Sequence, residues 1–356
     1  MSEFFTKTTL GRLELPNRLV MAPMTRARSA DGLVTDLTAE YYAQRASAGL
    51  IISESVQPSV IGQGFLGTPG LHSAEQVKAW RKVTDAVHAK GGRIVAQITH
   101  TGRIGHPVIQ PDGALPLAPS PIASGEKLFT MEGLLDHPEP REMTTADIEQ
   151  TVADHVSAAR NAVEAGFDGV EIHGGNGFLV HQFLADNTNV RTDSYGGSLT
   201  NRVRFAVEVV TAVGEAIGLD RTGLRISPGN PYNNIVESDP LALYLELARA
   251  LPESLAFLHI SEIVTREVTK ALREAWSGPI VLNPHPTADS FPSSPETALE
   301  ALREGLADAV ALAELWLANP DLPARIAAGG PYNVSDSSTH YGGDAKGYTD
   351  YPTLNG

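Results

Sequence analysis

Eight short apolar runs, each too short for a helix, set the main constraint on what this chain can fold into. They are residues 18–23 (RLVMAP), 50–54 (LIISE), 94–98 (IVAQI), 169–173 (GVEIH), 224–227 (LRIS), 256–261 (AFLHIS), 279–283 (PIVLN) and 307–313 (ADAVALA). All are β-rich and mostly unalternating, the pattern of strands buried on both faces of a parallel sheet. Helical signals fall between them. Ser73 and Gln76 form a capping box, with Gly91 and Gly92 as the stop. Ile148, Val152, Val156, Ala159 and Val163 recur at helical spacing behind a cap at Thr144 or Thr145, and Gly166 ends that helix. Ser294 and Pro295 open another, closed by Gly305. About eight strand–helix units over 356 residues predict one (β/α)₈ barrel occupying residues 1–356. An open doubly wound sheet is the alternative, but no GxGxxG turn follows the first strand.

Two segments stand outside the repeat. Residues 7–15 read as a hairpin that plugs the bottom of the barrel. Residues 101–143, rich in Pro and Gly, are too long for a plain βα loop and read as a lid or excursion after the third barrel strand.

Composition narrows the function. Lys and Arg total 27 against 42 Asp and Glu, a formal charge of -15. A chain so acidic is a poor fit to nucleic acid or to an anionic membrane surface. It contains 0 Cys, so disulfides, thiolate metal sites and cysteine nucleophiles are excluded, and the cytoplasm is the expected location. No signal peptide is evident at the start, and no apolar stretch is long enough to span a bilayer. The histidines show no HxH or HExxH spacing, so no metal site is expected. The expected partner is a small molecule, and the sequence does not give the oligomeric state.

In a barrel of this kind, chemistry sits at the C-terminal ends of the strands. Those ends carry Thr25, Glu54, Ser55, Gln97, His100, His173, Asn176, Arg225, Glu262, Asn283, His285 and Glu314. His173 and Asn176 are the sharpest pair. Gly174 and Gly175 let the chain turn behind His173, so both side chains can aim two neutral donors at one carbonyl or enolate oxygen. They are the predicted catalytic residues. Thr25, Gln97, Phe178, Arg225, His285, Glu314 and Tyr341 are the predicted cavity residues.

At these residues the sequence resembles the old yellow enzyme family of FMN-dependent ene-reductases. The matching stretches include NRLVMAPMTRARS, AEYYAQRASAGLIISE, QITHTGR, EAGFDGVEIHGGNGFLVHQFL, NVRTDSYGGSLTNRVRF and GYTDYP. The resemblance implies a βα-barrel that holds FMN, with Thr25, Gln97 and Arg225 at positions that hydrogen-bond the flavin ring. It implies that His173 and Asn176 bind the oxygen of an α,β-unsaturated substrate, and that NADPH or NADH reduces the flavin. This chain departs from the family pattern at several points. HGGNGF places Phe178 where a proton-donating tyrosine is usual, Thr99 stands where a tryptophan is common, and Ser55 replaces a small apolar residue. After the seventh barrel strand a Gly-rich turn becomes Asn283-Pro284-His285-Pro286, and after the eighth a Gly-Arg pair becomes Ala313-Glu314. These changes delete N–H donors and a cation from the phosphate position. They lead to the expectation that the chain has lost FMN, needs no cofactor, and acts as an isomerase or cyclase on a bulky unsaturated carbonyl compound in secondary metabolism. The alternatives are an FMN-dependent NAD(P)H ene-reductase or flavin-dependent isomerase without the usual proton donor, and a non-catalytic ligand-binding protein.

Overall fold

The computed structural model describes residues 1–355. A short hairpin comes first, β1 (Thr8–Leu10) and β2 (Leu13–Leu15). Three barrel strands follow: β3 (Leu19–Met21), β4 (Leu50–Val56) and β5 (Ile94–Ile98). The 101–143 excursion carries four small strands, β6 (Leu117–Ala118), β7 (Lys127–Thr130), β8 (Gly133–Asp136) and β9 (Arg141–Glu142). The barrel then resumes with β10 (Gly169–Gly174), β11 (Thr222–Ile226), β12 (Phe257–Ser261), β13 (Ile280–Asn283) and β14 (Ala309–Leu312). All eight barrel strands pair in parallel, and β14 pairs with β3 to close the ring. Closure excludes the open doubly wound sheet. Every apolar run named from the sequence contributes one strand of the barrel.

The runs do alternate once the two faces are separated. Ile94, Ala96 and Ile98 face outward into the core shared with the helices, as do Leu258, Ile260, Ile280 and Leu282. The intervening residues line the barrel interior. Near the bottom they are apolar: Val95, Phe257, Val281 and Ala309 join Leu10, Leu13 and Leu15 of the hairpin in one buried cluster. The hairpin therefore does plug the barrel. Two residues further along the same strands stand Gln97, His259 and Asn283, all buried and all polar. A gradient from hydrocarbon to hydrogen-bonding groups thus runs up the interior, and the strands look uniformly buried because both of their faces are.

Helices form where the caps predict. Ser73 Oγ accepts from the Gln76 amide and opens Ala74–Ala89, while Thr144 does the same for Thr145–Glu164. Ser294 caps Pro295–Arg303. No described helix is long and apolar enough to cross a membrane.

The excursion is pinned by one buried cation. Arg103 donates to the carbonyls of Ile122 and Ala123 within the excursion and of Asn233 and Asn234 in the loop after β11. Its outer hairpin, β7–β8, exposes Phe129, Met131 and Leu134.

Beneath the first barrel loop lies Glu54, buried on β4 and accepting from the Arg26 amide at 3.2 Å. Desolvation pushes its carboxyl up from 4.5 to about 7, against the pull of Arg26. A raised folded-state pKa favours the protonated native form. The stability this confers is complete below about pH 4.5 and is lost as pH rises through about 7. Glu54→Gln should remove that slope. The melting temperature of the wild type should fall more between pH 5 and pH 8 than that of the variant, and parallel curves would contradict the assignment.

Candidate active site

His173 and Asn176 stand together at the end of β10. His173 is buried, and its Nδ1 accepts from the Gly175 amide at 3.3 Å, which leaves the proton on Nε2. Burial, followed by the nearby Arg225 charge, holds its pKa well below the usual histidine range, so the imidazole is neutral. Asn176 Nδ2 lies 3.5 Å from His173 Nε2, while its Oδ1 accepts from Asn230 Nδ2 at 2.8 Å. With Oδ1 occupied, the amide presents its NH₂ beside the imidazole N–H. Two neutral donors therefore share one side of the barrel mouth.

The turn that makes this possible falls two residues beyond Gly174 and Gly175. Asn176 and Gly177 carry the positive φ values, 55° and 75°. Asparagine tolerates that region, and Gly177 is held there because a Cβ would meet Asn233 Cβ at 2.6 Å. Gly174 and Gly175 serve close approach to β11 instead: a Cβ on Gly175 would meet Ser227 Oγ at 2.7 Å.

Phe178 packs edge-on against His173 at 5.2 Å and against Phe65 at 6.1 Å. Together with Thr25, Ser55, Thr99 and Thr101 it lines a recess of about 20 Å³, room for roughly one water. Two of these hydroxyls form a chain, Thr99 Oγ1 donating to Ser55 Oγ at 2.9 Å and Ser55 Oγ donating to Gln97 Oε1 at 2.8 Å.

Below the mouth, Gln97 Nε2 donates to Glu171 at 2.9 Å, and His259 Nδ1 donates to the other oxygen of Glu171 at 2.7 Å. Glu171 and His259 are missing from the sequence-derived set. Their signal was present: a carboxylate and an imidazole, each in the middle of an apolar strand, need partners. Arg225, on the strand between those of Glu171 and His259, is buried, and its Nε has no hydrogen-bond partner. Desolvation pulls its pKa down, with Glu171 opposing. An unpartnered guanidinium inside a barrel mouth fits an electron-rich ring that accepts hydrogen bonds. The ring end of a flavin is therefore matched by residues present here.

The opposite corner differs. The His285 amide donates to Glu262 Oε2 and its ring Nδ1 to the Glu262 carbonyl, both at 3.0 Å. The imidazole stacks on Phe291 at 4.1 Å. Asn283 Nδ2 donates to the Ala311 carbonyl. Glu314 is exposed at the first position of the short helix Glu314–Ala318, within 3.4 Å of the Ser335 hydroxyl. Tyr341 lies 70% exposed on the C-terminal tail, so the structure places it at the surface. A separate hollow of about 450 Å³ opens beside the mouth, lined in part by Phe65, Ile104, Asn230, Tyr232, Asn233 and Phe291.

Similarity to known proteins covers nearly the whole chain. Residues 3–333 match the NADH:flavin oxidoreductase / NADH oxidase family. The flavin oxidoreductase hxnT of Emericella nidulans is 41% identical, covering 99% of this chain and 98% of that one. 12-Oxophytodienoate reductase 1 of Oryza sativa subsp. japonica is 40% identical, covering 98% and 92%. Among solved structures, morphinone reductase in complex with tetrahydroNAD superposes with a TM-score of 0.91 at 41% identity, covering 99% and 97%. The old yellow enzyme homologue from Zymomonas mobilis gives 0.93 at 38% identity, covering 99% of each chain. These likenesses correct two expectations from the sequence. A cofactor-independent isomerase or cyclase, and a chain that needs no cofactor, both rested on the loops after the seventh and eighth barrel strands. About 40% identity with flavin- and nicotinamide-linked reductases over almost every residue outweighs those two loops. With its closed barrel and its polar mouth, this chain is an enzyme of the old yellow enzyme family, the NADH:flavin oxidoreductase / NADH oxidase family.

Proposed function

We propose that this chain is a flavin-dependent ene-reductase: it uses NADH or NADPH to reduce a carbon–carbon double bond conjugated to a carbonyl. The observation that carries this reading is the neutral donor pair, His173 Nε2 and Asn176 Nδ2, at 3.5 Å from each other. The related reductases named above act on morphinone and 12-oxophytodienoate, and both names carry a ketone. Two fixed donors on such an oxygen draw electron density from the alkene and stabilise the enolate that forms as the β-carbon is reduced. Neutrality matters, because a charged imidazolium would hand over its proton instead of holding the oxygen.

A bound flavin supplies the hydride. Arg225, with Nε unpartnered, would hold the ring's hydrogen-bond acceptors, with Gln97 two strands away on β5 and Thr25 lining the recess beside Phe178. Phe178 has no exchangeable proton, so the α-carbon takes its proton from water. The recess beside Phe178, walled by Thr25, Ser55 and Thr99, gives such a water a hydroxyl-lined place. A nicotinamide-consuming reaction of this kind suits the cytoplasm.

The test is anaerobic oxidation of NADH and NADPH by the flavin-loaded protein with 2-cyclohexenone as acceptor. Stoichiometric formation of cyclohexanone is expected, with deuterium at the α-carbon when the reaction is run in D₂O. Flavin-loaded protein that oxidises neither nicotinamide would overturn the reading.

A further inference from the structure

We propose that the flavin is held by its ring end alone, and that the far end of the site takes an uncharged tail, so that riboflavin binds at least as tightly as FMN. This inference rests on the flavin reading above.

In (β/α)₈ barrels a ligand phosphate commonly sits between the loops after the seventh and eighth strands, beside a short extra helix, where backbone N–H groups point at it. Here β13 and β14 are those strands, paired in register at Val281–Ala309 and Leu282–Val310. The helix Glu314–Ala318 follows at once. The amides of residues 284–286 and the side-chain donors of Asn283 and His285 are missing or already used, and the first amides of the helix stand beside the Glu314 carboxylate. Pro284 and Pro286 have no N–H. The amide of His285 between them is spent on the Glu262 carboxylate. The His285 ring donates through Nδ1 to the Glu262 carbonyl, and burial keeps it neutral, so Nε2 is left as an acceptor. Asn283 spends its amide on the Ala311 carbonyl.

Charge points the same way. Glu262 and Glu314 bring two carboxylates to this corner. Arg266 is spent on Glu262 at 2.7 Å and on Glu304 at 2.9 Å, and Arg225 reaches His285 from the ring end of the site. A phosphate monoester carries about -1.5 to -2 charges at neutral pH. It would meet acceptors and like charge where it needs donors. A ribityl hydroxyl can donate to the same acceptors.

Titrating the protein with riboflavin and with FMN, by quenching of flavin fluorescence, tests this directly. Riboflavin is expected to bind at least as tightly. FMN affinity should rise with added salt as the repulsion is screened, while riboflavin affinity stays level. Glu314→Arg should strengthen FMN binding by about tenfold or more and leave riboflavin unchanged. Glu314→Gln should move FMN the same way by less, and it serves if the arginine variant folds poorly, as judged by near-ultraviolet circular dichroism. Clearly tighter binding of FMN by the wild type would overturn this inference and leave the ene-reductase reading intact. Binding of neither flavin would overturn both. FMN affinity unmoved by either variant would remove Glu314 as the cause and defeat the charge argument.

Discussion

His173→Ala should lower kcat for enone reduction by about 10²–10³, the loss that follows removal of one preorganised donor, roughly 2.7–4 kcal/mol of barrier. The imidazole forms no ion pair, accepting from the Gly175 amide and lying beside the Asn176 NH₂, so its removal leaves no buried charge exposed. Flavin affinity should change little, which separates a loss in chemistry from a loss of cofactor. Asn176→Ala should be as damaging, but its result is harder to read. Asn176 sits at φ 55°, where alanine adds about 1–2 kcal/mol of backbone cost. Asn176→Asp keeps a side chain suited to that conformation while replacing the donor with a carboxylate, and should be the worse of the two. The pH profile gives an independent check. Because burial holds His173 well below the usual range, its titration should not appear near pH 6.5 in kcat/KM. A His173→Ala enzyme with near wild-type turnover would place the oxygen of the substrate elsewhere.

Arg225→Leu should split binding from stability. In the flavin-free protein the guanidinium is buried, its Nε lacks a partner, and Glu171 offsets its charge only in part, so the fold bears a desolvation cost. Leucine removes that burden, and the flavin-free melting temperature should rise, by an amount equivalent to about 1–3 kcal/mol. Flavin binding should move the other way. Losing two charge-assisted hydrogen bonds, each about 1.5–3 kcal/mol, should raise the Kd roughly a hundredfold or more. The opposed signs are the test. A variant that is both less stable and unchanged in flavin affinity would show that Arg225 is a structural residue facing Glu171, with no part in holding the ring.

Much of the fold is legible in the sequence because the barrel repeats one local pattern eight times. Residues 94–98 and 279–283 announce buried strands without help from any other part of the chain. The caps at Ser73, Thr144 and Ser294 are equally local, each needing only the residues of one helical turn. His173 and Asn176 are legible for the same reason, since they sit three positions apart on one strand end. Glu171 is different. Its partners are Gln97 and His259, 74 and 88 residues away, and the register of four parallel strands, β5, β10, β11 and β12, brings them together. Tyr341, an aromatic residue near the GYTDYP stretch, lies exposed on the tail, within electrostatic reach of Tyr232. The cofactor expectation fails on weight. Changes at Pro284, Pro286, Ala313 and Glu314 bear on one end of one ligand, whereas likeness along the whole chain bears on the reaction.

The first barrel loop and the C-terminal tail are locked together by Arg26. Its guanidinium lies over Tyr41 at 5.0 Å and over Tyr348 at 4.9 Å, and it donates to the carbonyls of His340 and Gly347. Tyr41 and Tyr348 in turn stack at 4.2 Å. A ribosome delivers Arg26 more than three hundred residues before it delivers Tyr348. Throughout that interval the loop bearing Thr25 lacks its final cover, however many strands have already paired. The mouth of the barrel is thus completed only once residues 340–348 have been synthesised, after all eight barrel strands. A chain released early would carry a nearly finished barrel with an unfinished site.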